Sequence, residues 1–190
     1  MTFVRRKRSS HVALALVGAA AFALTGCQES QTEAAAFPDI ASCKAAAKAD
    51  GWFSPTDCDT AFAEAAALHD ETAPRYESRE LCEAEHGPEA CQSAQSGSGG
   101  GGIFMPLLMG YMIGQAMGGG RPIAQPVMAR NGGGFVTPGG AGIGRMGSGA
   151  VPASTFDKAP VTKGQPAMTK ANVRDRGGFG TTATKRSLGG

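Results

Sequence analysis

The chain has 190 residues, a formal net charge of +2 and 29 glycines, about twice the usual share of glycine. This length leaves room for one domain of ordinary size. The small net charge conceals a division. Residues 28–96 carry 14 acidic and 4 basic side chains, whereas residues 119–190 carry 10 basic and 2 acidic ones. Such a split is typical of a chain with one end that interacts with something.

Residues 1–26 have the order of a secretory signal peptide. Positive charges at residues 5–8 precede an apolar run from Val12 to Leu24, and the sequence Leu24-Thr25-Gly26-Cys27 closes the segment. A spanning helix needs about 20 residues, so this shorter run favours a cleaved signal over the alternative, an uncleaved membrane anchor. We therefore predict that Cys27 becomes the acylated N-terminus, and that its lipid and residues 27–38 tether the protein to a membrane.

The residue after the cysteine bears on the location. Gln28 stands where an aspartate would favour retention at the inner membrane. We therefore expect a cell-envelope lipoprotein of the outer membrane that faces the periplasm. The inner membrane and the cell surface remain alternatives.

Residues 39–92 are predicted to form a small helical domain. Each helix has a capping residue before it, and glycine or proline follows its end. The predicted helices run from Ile40 to Ala49 after Asp39, from the capping sequence Ser54-Pro55-Thr56-Asp57 to about Asp70, and from Ser78 through Glu85.

The same segment contains four cysteines and few large apolar residues, so it needs crosslinks to be stable. Four cysteines in an exported chain predict two disulfides with three connectivities. The short loops favour Cys43–Cys58 and Cys82–Cys91. A zinc site is disfavoured because no two cysteines have the close spacing of a metal-binding pair, and no Cys-x-x-Cys redox motif is present.

Residues 93–102 have the composition of a flexible Gly/Ser linker, and residues 103–118 form an apolar stretch after it. On a helix, Gly110, Gly114 and Gly118 would share one face, which would allow close approach of a second copy or insertion partway into a membrane. We therefore predict an apolar helix that mediates self-association. The alternative is a helix whose glycines have no such role.

Residues 119–190 are rich in glycine, proline and threonine, and this composition predicts a disordered basic tail. Its positive charges could bind anionic polymers of the envelope, or they could only keep a spacer soluble. The sequence from Arg176 to Gly180 is similar to an RGG-type element. A single copy in an exported chain makes nucleic acid an unexpected partner.

No catalytic constellation is recognisable. Residues 142–147 match G-x-G-x-x-G but lack the predicted strand and helix that dinucleotide binding needs. His69 and His86 lie near predicted helix C-termini, where the helix dipole favours a charged imidazole, and neither has a neighbouring nucleophile. The sequence therefore predicts no catalytic residue, no cofactor and no metal site.

Several short motifs together resemble one known family. They are Cys27 with its preceding signal, the four cysteines, Thr72-Ala73-Pro74-Arg75-Tyr76, the block from Phe104 to Gly120, and Arg176-Gly177-Gly178-Phe179-Gly180. Their order is similar to that in the YgiB-type family of uncharacterised proteobacterial lipoproteins, a domain of unknown function. The resemblance implies an envelope lipoprotein without established enzymatic activity, and it carries over no functional residue.

The sequence thus predicts a mostly disordered chain with a small α-helical, disulfide-stabilised segment. The expected role is structural or interactive and non-enzymatic, at the outer membrane. The alternatives are a module that binds envelope polymers or anionic ligands through its tail, and a non-catalytic accessory subunit of an envelope enzyme. The expected partners are the membrane through the lipid, other envelope components and a second copy of the chain.

Overall fold

The structure is a computed structural model that describes residues 29–94, 102–116 and 120–175. Within these ranges it contains helices, strands and one short 3-10 helix at Ala153–Phe156. The helices are α1 (Ile40–Asp50), α2 (Pro55–Thr72), α3 (Arg79–His86) and α4 (Lys170–Asp175). The strands are β1 (Gln31–Phe37), β2 (Cys91–Ser93), β3 (Phe104–Pro106), β4 (Leu108–Gly114), β5 (Ile123–Ala129), β6 (Phe135–Val136), β7 (Gly142–Ile143) and β8 (Gly147–Pro152).

Six of the strands form one antiparallel sheet in the order β7-β6-β5-β4-β1-β8. β1 lies inside this sheet, and its Ala34 is opposite Gly114 of β4 on one side and Gly149 of β8 on the other. β2 and β3 form a separate antiparallel pair. The start of the fold is therefore held between two strands that lie much later in the chain.

The three predicted helices are confirmed, together with their caps. Asp39 accepts a hydrogen bond from the backbone of Ser42, and Gly51 ends α1 with a φ of 72°. Ser54 and Asp57 form a reciprocal capping box at the start of α2, and Ser78 caps α3. These contacts span three residues, which is why the local sequence specifies them.

The sheet is covered on both faces. On one face, Ala35, Phe37, Tyr111 and Ile113 pack against buried residues of α1 and α2, including Cys43 and Cys58. On the other face, alternate residues of the same strands pack against side chains of the C-terminal half. This second cluster contains Ala34, Ala36, Met112 and Val127, with Met146, Val151 and Phe156 packed on it.

The prediction of a mostly disordered chain with only a small helical segment is wrong. The helices pack on a sheet built largely from residues that the composition assigned to a tether, an apolar helix and a disordered tail. β1 and β4 are buried on both faces, so they lack the alternation of polar and apolar residues that marks a half-buried strand. Small side chains are sufficient there because the opposing layers approach closely.

The predicted helix over residues 103–118 is also wrong, since β3 and β4 occupy this stretch. A short apolar run fits a buried strand as well as a buried helix, and only the pairing of β4 with β1 and β5 decides between them.

The predicted disorder of residues 119–190 is wrong as far as Asp175, because this range supplies β5 to β8, the 3-10 helix and α4. Its glycines serve turns, as at Gly132, Gly133 and Gly134 between β5 and β6, where all three have positive φ. Residues 176–190, including the RGG-type element, lie outside the described residues.

Part of the charge division between the two halves of the chain appears as ion pairs between them. Arg121 pairs with Glu64 on α2, and Lys163 pairs with Asp70 on the same helix. The basic C-terminal half therefore lies against the acidic helical half. In the described part of the chain, no helix combines the length and apolar character needed to cross a membrane.

Candidate ligand-binding cleft around Arg75

The four cysteines of the helical region form two disulfides in the structure, Cys43–Cys58 and Cys82–Cys91, the pairs that the loop lengths favour. The first joins α1 to α2, and the second joins α3 to β2. Both lie in buried clusters of the fold. Cys27, the predicted lipid site, lies outside the described residues.

Gly110 and Gly114, which were predicted to face a second copy of the chain, contact other parts of the same chain. A Cβ atom at Gly110 would lie 2.3 Å from the backbone oxygen of Phe37, and one at Gly114 would lie 2.3 Å from Cζ of Phe156. Gly118 lies outside the described residues. Gly110 and Gly114 thus permit close packing within one chain, and the helical basis for the predicted self-association is lost.

The G-x-G-x-x-G match at residues 142–147 joins β7 to the first residue of β8. It therefore links two strands and does not lead from a strand into a helix, as phosphate binding would require. Among the described residues no group of three or more histidine, cysteine or acidic side chains is arranged to hold a metal ion.

Three buried polar side chains form a network between α3 and the strands. The hydroxyl group of Tyr76 donates to Glu85 Oε2 at 2.6 Å and lies 3.0 Å from His86 Nε2. Nδ1 of His86 lies 2.7 Å from the carbonyl oxygen of Ala129, which can only accept, so this nitrogen carries a proton. The network connects α3 to β5 and is closed to solvent.

Both histidines lie in the last turns of their helices, as expected, and burial is the largest cause of the shift in their pKa values. Burial lowers the pKa of His86, against the opposing effects of the Ala129 carbonyl and the Glu85 charge. Burial likewise lowers the pKa of His69, and its Nε2 lies 3.0 Å from the Pro106 carbonyl oxygen. The neutral imidazoles are therefore favoured, contrary to the expectation of charged ones.

A cleft of about 770 Å³ opens beside the C-terminal end of α2. Its walls come from α2, from the β2–β3 pair and from a loop that precedes α4. The lining residues are His69, Asp70, Arg75, Gln92, Ser93, Ala94, Ile103, Met105, Lys163, Gly164 and Gln165.

The loop that closes this cleft is fixed to the end of α2 by backbone contacts. Thr162 donates through its hydroxyl group to the carbonyl oxygen of Ala73 at 2.6 Å, and the amide of Met168 donates to the carbonyl oxygen of Arg75 at 2.7 Å. These bonds join segments that are far apart in the chain, so the cleft exists only in the folded protein.

Arg75 is the central residue of the cleft, and only 9% of its side chain is exposed. Its Nη2 donates to the backbone oxygen of Asp70 at 2.6 Å and lies 3.6 Å from the Asp70 carboxylate. Its Nε is buried and has no hydrogen-bond partner within the described ranges. A guanidinium group in this state has donor capacity that the described protein does not use.

The lining of a second cleft of about 510 Å³ also includes Arg75. Arg75 and Gln165 line both clefts. The second cleft is more apolar, and its walls include Pro74, Pro138, Pro160, Val161, Pro166 and Met168.

Arg75 belongs to Thr72-Ala73-Pro74-Arg75-Tyr76, one of the motifs behind the family resemblance, and no role was predicted for it. An arginine just after a helix is ordinary, because cations are favoured near helix C-termini. Arg75 is distinguished by its burial and by its place in the lining of two clefts. Both depend on residues near 165, which were predicted to belong to a disordered tail.

The family model described as "Protein of unknown function (DUF1190)" matches residues 31–190. The chain is similar to a UPF0441 protein of Klebsiella pneumoniae subsp. pneumoniae, with 30% identity over 92% of this chain and 82% of the relative. It is similar to UPF0441 proteins of Pectobacterium carotovorum, with 31% identity over 96% of this chain and 84% of the relative, and of Pectobacterium atrosepticum, with 31% identity over 98% and 87%. No solved structure matches the chain.

Proposed function

Because this chain belongs to the DUF1190 family, a family of unknown function, we propose a role from its own residues: a lipid-anchored envelope protein that acts by binding and not by catalysis. The observation that carries the proposal is the pair of disulfides within the fold. Cys43, Cys58 and Cys82 are completely buried. Disulfides of this kind persist in oxidising compartments, so they support export together with the signal sequence before Cys27.

A lipid on Cys27 would hold the folded part close to the membrane. β1 begins at Gln31, four positions after Cys27. Four extended residues reach at most about 14 Å, so the start of β1 would lie near the lipid headgroups. So short a tether favours an interaction role at a membrane surface. Gln28 after the cysteine favours the outer membrane.

Binding is favoured over catalysis by how the titratable side chains are used. Tyr76, Glu85, His86 and His69 are buried, and each makes a hydrogen bond inside the fold. The polar groups that line the cleft are two cations, the Asp70 carboxylate, the His69 imidazole, amides and a hydroxyl group. Asp70 is paired with Lys163 and His69 Nε2 lies against the Pro106 carbonyl oxygen, so these groups are arranged to hold a ligand rather than to react with it. A free basic tail that binds envelope polymers is less favoured, because Arg121 and Lys163 pair with carboxylates of α2.

The anchor is tested by replacing its cysteine. In Cys27→Ala we expect an unprocessed precursor that no longer incorporates labelled fatty acid, because the acylated thiol is absent. The measurements are gel mobility and fatty-acid labelling of envelope fractions. Thr25→Ser is a matched control that keeps the cleavage region and should be processed normally.

The choice between the outer and the inner membrane is tested separately with Gln28→Asp. We expect this variant to move from the outer-membrane fraction to the inner-membrane fraction, with acylation unchanged. A Cys27→Ala protein that is processed and fractionated like the parent chain would contradict the proposed anchor.

A further inference from the structure

We propose that the cleft around Arg75 binds the carboxylate group of a small organic anion, with the Arg75 guanidinium as its main partner and Lys163 beside it. The proposal concerns the folded domain alone and does not depend on the lipid anchor.

The first step is the state of Arg75. Its side chain is nine-tenths buried, yet its Nε makes no hydrogen bond to any described residue, and only Nη2 is engaged, with the Asp70 backbone oxygen. The Nε atom is closed to solvent, so a ligand in the cleft would bind the two terminal nitrogens instead. These carry four of the five N–H donors of the guanidinium group, and among the described residues they make one hydrogen bond. A carboxylate has two oxygens in the plane and at the spacing that a guanidinium group matches.

The second step is the charge of the cleft. Arg75 and Lys163 are cationic and Asp70 is anionic, while His69 is favoured in its neutral form. The remaining polar lining residues, Gln92, Ser93 and Gln165, are uncharged. The cleft therefore has one net positive charge, which a single carboxylate neutralises, whereas a phosphate dianion would leave a negative charge in a half-enclosed site.

The third step is the apolar part of the cleft lining. Besides its polar groups, the cleft is lined by the apolar residues Ala94, Ile103 and Met105. A carboxylate held at Arg75 can therefore place a short apolar substituent against these side chains. The ligand class is thus a carboxylic acid with a small apolar part.

A purely structural role for Arg75 gives a different expectation. In that case Arg75 only caps α2 through the Asp70 backbone oxygen, and the Asp70 carboxylate, 3.6 Å from Nη2, is its intended partner. In the proposed role this carboxylate competes with the ligand. Removal of the Asp70 charge therefore separates the two roles, because it should strengthen ligand binding only if the cleft is a site.

The experiment is thermal unfolding of the purified full-length protein in sodium butyrate, in sodium chloride and in inorganic phosphate at equal ionic strength, at a pH above the second pKa of phosphoric acid so that phosphate is present as the dianion. A ligand at ten times its Kd should raise the Tm by about 3 °C in butyrate relative to chloride. Phosphate should give no comparable increase. Arg75→Gln should lose the butyrate response, and Arg121→Gln, a matched loss of one arginine outside this cleft, should retain it.

Two variants with exposed side chains decide the question if Arg75→Gln does not fold. Asp70→Asn should lower the apparent Kd for butyrate by about threefold, and Lys163→Gln should raise it by a similar factor. The proposal is overturned if folded Arg75→Gln keeps the response, if the parent protein does not respond to butyrate, or if phosphate stabilises it equally. Weaker butyrate binding by Asp70→Asn would also overturn it.

Discussion

Two buried tyrosines differ in what their hydroxyl groups contact. The Tyr76 hydroxyl group bonds to Glu85 and lies beside His86, so it satisfies polar groups on α3. The Tyr111 hydroxyl group has no partner among the described residues, and burial raises the pKa of Tyr111 to about 12. The same side chain therefore stabilises the fold at one site and carries an uncompensated polar group at the other.

Replacing each tyrosine with phenylalanine tests this difference. Tyr76→Phe should lower the free energy of unfolding by about 1–3 kcal/mol, because the buried Glu85 carboxylate loses its hydrogen-bond donor. Tyr111→Phe should leave it unchanged or raise it by up to about 1 kcal/mol, because an unsatisfied hydroxyl group is removed. Urea denaturation measures both. Equal losses in the two variants would contradict this assignment.

The buried histidines predict how stability depends on pH. Burial lowers the pKa of His69 and His86 below the ordinary value of 6.5, so the unfolded chain binds more protons than the folded protein in mildly acidic solution. Their contribution to stability is therefore complete above pH 6.5 and is lost as the pH falls below that value towards their folded pKa values.

As the pH falls from about 7.5 to about 5, the free energy of unfolding measured by urea denaturation should decrease. The pKa values of Asp39, Asp57 and Asp70 are lowered from 3.8 by hydrogen bonds from Ser42, Ser54 and Lys163 respectively, so these groups act only at lower pH. His86→Gln should flatten the dependence. A free energy that rises as the pH falls through this range would contradict the prediction.

At the scale of elements, β4 shows why glycine recurs every four residues in this stretch. In a strand, positions 110, 112 and 114 face the same side of the sheet. The neighbours at the two ends differ: the Phe37 backbone lies against Gly110, and the movable Phe156 ring lies against Gly114. The glycine spacing that suggested a helical interface thus belongs to a strand, and its glycines make room for the Phe37 backbone and the Phe156 ring.

Glycine-to-alanine substitutions should therefore have graded effects. Gly110→Ala should lower the free energy of unfolding by about 3 kcal/mol, because the new Cβ atom meets backbone that cannot move without disturbing β1. Gly114→Ala should cost about 1 kcal/mol, because the Phe156 ring can turn. Gly149→Ala on β8 meets no atom within 4 Å and should change stability by less than about 0.5 kcal/mol.

Denaturant unfolding of the three variants provides the comparison. A helical self-association stripe would predict the opposite behaviour. The variants at 110 and 114 would then keep their stability and lose only oligomer. That outcome would contradict the packing described for β4.

At the scale of the whole molecule, the disulfides hold the helical layer together. Cys43–Cys58 closes a loop of 15 residues and Cys82–Cys91 one of 9 residues. In the chain-entropy model these loops are worth about 3 and about 2.5 kcal/mol respectively. Because domains are commonly stable by only 5–15 kcal/mol, both bonds together are a large part of the total.

Reduction should therefore lower the stability of the protein strongly. The paired variant Cys43→Ala/Cys58→Ala should lose about 3 kcal/mol, and Cys82→Ala/Cys91→Ala slightly less. Urea midpoints with and without reductant measure the effect, and the double-alanine pairs should respond less to reductant than the parent chain. A parent protein whose midpoint does not change after verified reduction would contradict this account.

The sequence by itself determined the local features of this protein. Asp39, Ser54 and Ser78 cap helices through contacts three residues away, and the short loops favoured the two disulfide pairs that the structure contains. Such features depend on a few neighbouring residues, so they can be read without knowledge of the fold.

Only the tertiary structure decided the sheet and the cleft. Alanine and glycine segments such as those around Ala34 and Gly149 have no strong strand propensity, and they become strands because distant partners satisfy their backbone groups. In the sequence Arg75 resembles any arginine at a helix end, whereas in the structure it lies in a cleft formed with the loop around Gln165. Burial is a property of the folded chain, and it is burial that gives Arg75 its unsatisfied donor.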